Sequence, residues 1–481
     1  MFLRRDHFSP AQYLHFSFFR WKETKIVKQM KLVVAMFIAL AMATPALAIN
    51  VEWHGDFNNR FSYSDQADLS KRIIKDSEKY ISADGVLYSQ SKISLPDTKK
   101  NKNDSDFFGE LKYRMDMTVS DDEKKVKGVV GFEFGSSKFG GSGADFGGDD
   151  NVFELRWAYT DFELPFDPAS RLSVGLQPVG YNALVWSDNA GGVKWTRKEG
   201  NWAYSLGWFR NDWANNSTAG GDTKSAYDDA YAADVTYVFE NGNSLNAFVI
   251  YMDAGQESLG VTNFVTDTFT TLGTVQDEEI WMGLSGKGKW NNLSGMFTGV
   301  YLTGEVTGAG YPIDRDAFLV HGQADYAVGK TTFTLGGLYA SGDDDPTDRD
   351  AENFDVIDIA TSMLGSVIIF DNYCDDNSFS QAPYVLDQGY KLIYVGAAHK
   401  LNDKTKIWGR YFWHNTAEDT LLGDDEIGHE FVVGVSYTIM KGLTADINAG
   451  YLVAGDAWEA VASDGEGDDV FRTDARIQFK F

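Results

Sequence analysis

From residue 51 to the end of this chain, stretches of about ten residues recur in which apolar and polar side chains alternate one by one, and few folds accept that pattern. A period of two means a strand with two unlike faces. In 51–63 the odd positions Val51, Trp53, Phe57, Phe61 and Tyr63 are apolar, and Glu52, His54, Asp56, Asn58, Arg60 and Ser62 fill the even ones. In 108–119, Leu111, Tyr113, Met115, Met117 and Val119 alternate with Glu110, Lys112, Arg114, Asp116 and Thr118. The closing segment sets Phe471, Ala475, Ile477, Phe479 and Phe481 against Arg472, Asp474, Arg476, Gln478 and Lys480.

Similar stretches begin near 126, 152, 171, 193, 202, 230, 244, 280, 293, 317, 331, 389, 404, 428 and 443, which makes 18 strands. Several, notably 171–178 and 193–198, are short or imperfect, so 16 is the competing count. A strand of about ten residues crosses a bilayer when tilted by about 45°. The connections alternate in length. Short polar turns lie at 120–125, 164–170, 199–201, 240–243, 290–292, 328–330, 401–403 and 439–442. Between them run the long links 64–107, 135–151, 179–192, 211–229, 253–279, 304–316, 341–388, 415–427 and 455–469. Short turns on one side and long loops on the other, with both chain ends on the short-turn side, predict an all-β antiparallel transmembrane barrel. A soluble half-buried sheet would also alternate. The strand-end aromatics Trp53, Trp157, Tyr159, Trp281, Trp290, Trp408, Trp413 and Tyr437 argue against it, because they read as girdles at the two membrane interfaces.

The front of the chain is of another kind. From Met30 it reads as a signal peptide: Lys31, an apolar run from Leu32 to Ala43, Pro45, then Ala46-Leu47-Ala48 as the cleavage site. Residues 1–29 read as a mis-annotated extension, 30–48 as the signal peptide and 49–481 as the barrel. The apolar run is too short to span a bilayer securely. Removing 1–48 deletes seven basic and two acidic side chains and deepens the net charge from −27 to −32. So acidic a chain repels nucleic acid. A single cysteine, Cys374, excludes an intramolecular disulfide.

The acid is concentrated in the long links, which together carry −36, leaving +4 for strands and short turns. The link 341–388 alone holds twelve carboxylates and one base, Arg349. Such loops raise the local cation concentration at a mouth. They also offer oxygen ligands for Ca²⁺ or Mg²⁺, for which Asp464, Glu466 and Asp468 are the candidates, although a solvated loop is the plainer reading. The wall differs. With odd residues toward lipid, Arg60, Lys112, Arg114, Arg472 and Arg476 project into the lumen, with Asp56, Glu110, Asp116 and Asp474 between them. Arg156 extends the set, and Arg410 stands farther round. A base at mid-depth in hydrocarbon costs about 2–4 kcal/mol, so this placement demands a wet interior. Whether the wall screens solutes or only pairs with itself stays open at this point.

The link 179–192 is more apolar than the other outer links. Tyr181, Trp186 and Asp188 mark it as the candidate constriction, folded inward or packed against neighbouring loops. At the carboxyl end Ile477, Phe479 and Phe481 form an aromatic-terminated strand of the kind bacterial barrels present to their outer-membrane assembly machinery. Together with the stretch from Asn50 to Phe61, this ending resembles the trimeric porins of sulfate-reducing and related bacteria. The resemblance implies an outer-membrane homotrimer, in contact with lipid and lipopolysaccharide, that passes small hydrophilic solutes by diffusion. In general porins the third loop carries several acids facing wall bases; here Asp188 is its only charge.

An enzyme would need a converged site, yet His54, His321, His399, His414 and His429 are scattered, and no Gly-x-Ser-x-Gly elbow appears. A solute-specific, sugar-type channel would need aromatic residues along the lumen, whereas the polar parity is mainly charged or small. The expectation is a general pore without cofactor and with weak cation preference from its acidic mouth.

Overall fold

The computed structural model describes residues 49–65, 75–81, 87–92, 105–139, 153–211, 228–263, 268–308, 312–345, 348–359, 364–370, 389–419, 424–458 and 469–481. The segments read as an extension, 1–29, and as a signal peptide, 30–48, and the candidate ligands Asp464, Glu466 and Asp468, lie outside the described residues.

Eighteen strands close into one antiparallel sheet. They are β1 (Ile49–Ser64), β2 (Asp106–Asp121), β3 (Val126–Phe139), β4 (Phe153–Leu164), β5 (Asp167–Asn182), β6 (Trp186–Glu199), β7 (Trp202–Asn211), β8 (Asp228–Val238) and β9 (Ser244–Asn263). Around the second half run β10 (Thr268–Trp290), β11 (Leu293–Gly308), β12 (Ile313–Val328), β13 (Thr331–Ala340), β14 (Tyr390–Lys400), β15 (Thr405–Asn415), β16 (Glu426–Met440), β17 (Leu443–Ala454) and β18 (Val470–Lys480). Chain neighbours pair throughout, and β1 joins both β2 and β18, so no strand edge of the barrel is left open. The count is 18, and 16 is ruled out. The first long link also contains a separate hairpin, 75–81 with 87–92.

The closing seam runs in register from Asp56 opposite Lys480 to Ser64 opposite Arg472. Gly55 and Phe481 exchange two backbone hydrogen bonds of 3.1 Å. The Phe481 ring lies over Gly55, where a Cβ would collide with it. Phe57 meets Phe481 edge-on at 5.5 Å and stacks on Tyr113 at 4.6 Å, and Phe479 stacks on Phe481 at 5.2 Å. Such ring pairs are worth about 0.5–1.5 kcal/mol each. Phe481→Ala should therefore loosen the seam by about 1–3 kcal/mol, read as a lower temperature for the heat-induced mobility shift of the folded barrel on gels.

The two parities separate as a membrane barrel requires. Phe61, Val249, Met282, Tyr301, Phe318, Val320, Phe431 and Val433 are exposed on the outer face, each at least 40%. So much contiguous apolar surface on the outside of a closed sheet fits hydrocarbon, not water. Strand-end Trp53, Trp290 and Tyr437 are exposed there as well. Four of the aromatics read as girdle residues point the other way. Trp281 is fully buried, and Trp157 and Trp408 line interior cavities. Tyr159 pairs opposite Val129, which is itself buried on the inward face. Period two alone cannot say which face of a strand is inside when the interior is itself partly apolar.

That interior is the main departure from expectation. The link 179–192 is not a loop: β5 and β6 continue through it, with Gln177 opposite Ala190 and Asn182 opposite Trp186, joined by a tight turn at 183–185. The long acidic link after β13 does not simply stand out in solvent either. Its residues 353–359 and 364–370 enter the barrel, where Phe354, Ile359, Leu364, Val367, Ile368, Ile369 and Phe370 are buried with inward-facing Trp281, Leu302, Leu319, Tyr390, Tyr394, Phe412, Val432 and Leu452. The outer half of the lumen in the β9–β17 sector is therefore packed by apolar side chains.

Candidate functional site

The inward link is docked at two places. At the first, Ile357 and Asp358 donate their backbone N–H to Val185 O at 3.0 and 3.1 Å, and Ser187 N donates to Asp358 O at 2.8 Å. Trp281 Nε1 adds a hydrogen bond to Asp355 O at 2.9 Å. The tip of the β5–β6 hairpin thus packs inside the barrel with the returning link. Leu184, Val185 and Trp186 are buried, and Asn182 Nδ2 reaches Ser285 Oγ on β10 at 3.0 Å. Tyr181 packs edge-on to Phe209 and lies under Lys194, whose Nζ is 5.2 Å from its ring centre.

The second dock holds 364–370 against β15, β16 and β17. Arg410 Nη1 donates to Leu364 O at 2.5 Å. Gly365 has φ +81°, and a Cβ there would strike the Arg410 guanidinium, so only glycine lets that arginine reach the loop. Val367 and Ile368 seat over Gly450, which leaves room for them. Glu430, wholly buried, accepts from Val367 N, Ile368 N and Ser366 Oγ at 2.8, 2.9 and 2.6 Å.

The wall residues read from the sequence all lie on the inward parity, and the structure pairs most of them. Arg60 bonds Glu110, and Asp56 lies 3.2 Å from Lys480 Nζ and accepts from Gln478 Nε2. Asp116 meets His54 Nδ1 at 3.1 Å, and Arg472 meets Asp474 at 3.3 Å. Glu133, which the sequence reading passed over, is shared by Lys112 at 3.2 Å, Arg114 at 2.7 Å and Arg156 at 3.2 Å. Glu133, Arg114 and Arg156, with Glu154, Asp188, Trp157 and Asp358, border a cavity of about 490 Å³ beside the hairpin tip. Its charges are mixed. On the far wall Arg315 is sealed between Asp277 at 2.9 Å and Glu279 at 3.3 Å.

A second cavity, of about 340 Å³, has another character. It lies on the periplasmic side of the link, roofed by Gly365 and lined by Lys406, Arg410, Arg476, Asp446, Trp408, Thr334 and Ser436. Three bases against one carboxylate leave a charge of +2. Strand register explains the gathering. Arg60 stands opposite Arg476, Arg476 opposite Asp446, Asp446 opposite Ser436, and Ser436 opposite Lys406, one lateral inward row across five strands. Arg476 is held to Asp446 Oδ2 through Nε and Nη2 at 3.2 and 2.8 Å. Lys406 is exposed and has no ion pair among the described residues. Sequence reading named Arg410 and Arg476, put Trp408 on the lipid face, and missed Lys406 and Asp446. Extending the even parity assigned to the lumen in the first, second and last strands to β15 and β17 finds all three.

At the outer rim, Asp343 sits half-buried just beyond β13. Burial raises its pKa to about 6, against a 3.2 Å hydrogen bond from Asp345 N; Asp348, Glu352 and Asp344 push it further up. Its folded value lies above the ordinary aspartate value of about 4, so protonation favours the folded rim. That contribution is complete below about pH 4 and is lost as pH rises through about 6. Hydrogen exchange within 341–359, corrected for its intrinsic pH dependence, should be slower at pH 5 than at pH 8, and Asp343→Asn should remove most of the difference.

Ser366, Glu430 and His414 are adjacent, but Ser366 donates to the carboxylate, not to the imidazole, and all three are fully buried. A nucleophilic serine needs the base beside it and access to substrate.

No family model matches the sequence, and no curated protein matches it. Solved structures do. OpdK of Pseudomonas aeruginosa, crystallised with vanillate, aligns over 89% of this chain and 98% of its own, with 13% identity and a TM-score of 0.50. A double variant of OccD1 (OprD) aligns over 89% of this chain and 95% of its own, with 14% identity and a TM-score of 0.50. These are not the trimeric porins of sulfate-reducing bacteria that the chain ends resemble. At such identities the likeness establishes architecture: this chain has the closed 18-stranded antiparallel fold of the OprD/Occ outer-membrane barrels.

Proposed function

We propose that the chain forms a solute-selective channel of the outer membrane that admits small organic carboxylates past an apolar constriction. The observation that carries this reading is the +2 cavity beneath residue 365, with Lys406 exposed and Arg410 and Arg476 beside it. An unselective pore needs an open bore, and here part of the lumen is filled by 353–359 and 364–370. Carboxylates are among the anions whose geometry suits a planar guanidinium. Trp408 and Trp157, each lining a cavity, favour a solute with a flat apolar body. The vanillate bound by OpdK is a solute of that kind.

The acidic loops still favour cations at the mouth. That field is spread over wide, hydrated surface and screened within about 8–10 Å, whereas the cavity charge acts at contact distance in a narrow space. We take the narrow site to decide. Homotrimer formation, contact with lipopolysaccharide, and recognition of Phe479 and Phe481 by the assembly machinery belong to the same proposal. A sugar-type channel is the second reading, favoured by the same two tryptophans.

Purified protein in planar bilayers under a salt gradient should show a reversal potential of anionic sign, and benzoate should block the current saturably while maltose does not. Saturable block by the sugar instead would favour the second reading. Carboxylates and sugars crossing alike, without saturation, would return the protein to an unselective general pore.

A further inference from the structure

We infer that Glu430 is the positioning residue that holds the constriction segment 364–370 across the lumen. The inference rests on the channel reading for its consequence, though not for its geometry. A segment leaving the sheet to cross a barrel interior brings backbone N–H groups that need partners away from water. Here one wall carboxylate organises them. Glu430 Oε1 takes Val367 N at 2.8 Å and Ile368 N at 2.9 Å, and Oε2 takes Ser366 Oγ at 2.6 Å. The same Ser366 hydroxyl accepts from Ile369 N at 3.1 Å and Phe370 N at 3.0 Å, closing the turn. His414 Nε2 stands 3.3 Å from Oε2, and Tyr390 O–H fixes the other ring nitrogen. Five donors of a seven-residue segment thus depend, directly or through Ser366, on one side chain.

Packing alone does not call for an anion here. Gly428, Val432, Gly434 and Ser436 are the neighbouring inward positions of β16, and Leu452 stands opposite Glu430 on β17. A carboxylate in such surroundings costs stability unless its oxygens are occupied, and a well-packed apolar residue would often be as stable. What the carboxylate supplies is a fixed place for the segment. The first dock, at 355–359, uses backbone pairing with Val185 and Ser187 and the Trp281 side chain, and nothing from Glu430. Loss of the carboxylate should therefore release 364–370 while 355–359 stays seated.

The test places a thiol at Ile369→Cys in a Cys374→Ser background and follows its reaction with a membrane-impermeant maleimide on folded protein, alongside single-channel conductance. Ile369 is only 3% exposed, so labelling should be slow in the parent. Glu430→Ala should speed it about tenfold or more and raise conductance, because hydrogen bonds to a charged group are removed together. Glu430→Gln should fall between, since it keeps one acceptor oxygen for the two N–H groups but turns an amide toward Ser366 and His414. Ser366→Ala, which leaves the wall intact, should shift both readouts in the same direction, and it decides the matter if Glu430→Ala fails to assemble. Unchanged labelling in folded Glu430→Ala or Ser366→Ala barrels would overturn the assignment. A parent protein that conducts nothing would overturn the channel reading alone, while the labelling arm still decides the role of Glu430.

Discussion

Replacing 364–370 with a short glycine linker should raise single-channel conductance several-fold and abolish saturable block by carboxylates, with the barrel still assembled. The segment contributes Leu364, Val367, Ile368, Ile369 and Phe370, none more than 4% exposed, and they meet the rings of Tyr390 and Phe412 and the side chains of Val432 and Leu452. Lumen volume now filled by apolar side chains would fill with water. The sheet should survive, because its backbone pairing from β13 to β18 is independent of the segment. Newly wetted Tyr394 and Phe412 would lower stability somewhat, by about 25 cal/mol for each Å² of apolar surface returned to water. Planar-bilayer conductance beside a heat-modifiability gel separates the two effects. Conductance equal to that of the parent would mean that the narrowest point lies elsewhere.

The second large effect concerns sign. Lys406→Glu combined with Ser436→Asp should turn anion preference into cation preference. The cavity now carries Lys406, Arg410 and Arg476 against Asp446; the double change converts +2 to −1 without touching the Arg410 contact to Leu364 or the Arg476 pair. At about 8 Å and an effective dielectric of about 40, each unit charge is worth about 1 kcal/mol, so three units amount to roughly 3 kcal/mol before screening. Ionic strength reduces this, and a change of about ten- to a hundredfold in the anion-to-cation permeability ratio is expected. The check is the reversal potential in a salt gradient. A shift confined to the acidic mouth, with the cavity variant unchanged, would assign selectivity to the outer loops.

The strands were legible because alternation and turn length are local properties. The start points read from pattern alone, such as 126, 202, 244, 293, 331 and 443, are the first residues of β3, β7, β9, β11, β13 and β17. What occupies the inside was not local. Period two sorts side chains into two sets; it does not say that one set meets a returning loop, so Trp281 read as an interfacial residue when it anchors Asp355 O. Strands β5 and β6 were cut short because Gly180, Gly191 and Gly192 and the apolar tip at 183–186 interrupt the alternation. The apolar tip packs inside with the link, and glycine carries no side chain to declare a face. One signal was present and unused. Leu364-Gly365-Ser366-Val367-Ile368-Ile369-Phe370 is an apolar run inside the most acidic link of the chain, and a solvated loop has no use for it. The basic wall was half legible. Arg410 and Arg476 could be placed by parity, but their meeting with Lys406 around one cavity depends on register across four strands.

The central claim is that water and solute can travel past the constriction to the basic cavity. It is tested most directly by a cysteine at Lys406, in a Cys374→Ser background, in intact cells. A charged, membrane-impermeant thiol reagent small enough to enter the barrel, applied from outside, should modify Lys406→Cys, and benzoate should slow the reaction. A thiol that reacts in isolated membranes opened to the periplasmic side, but never from outside, would make the barrel a blind cup.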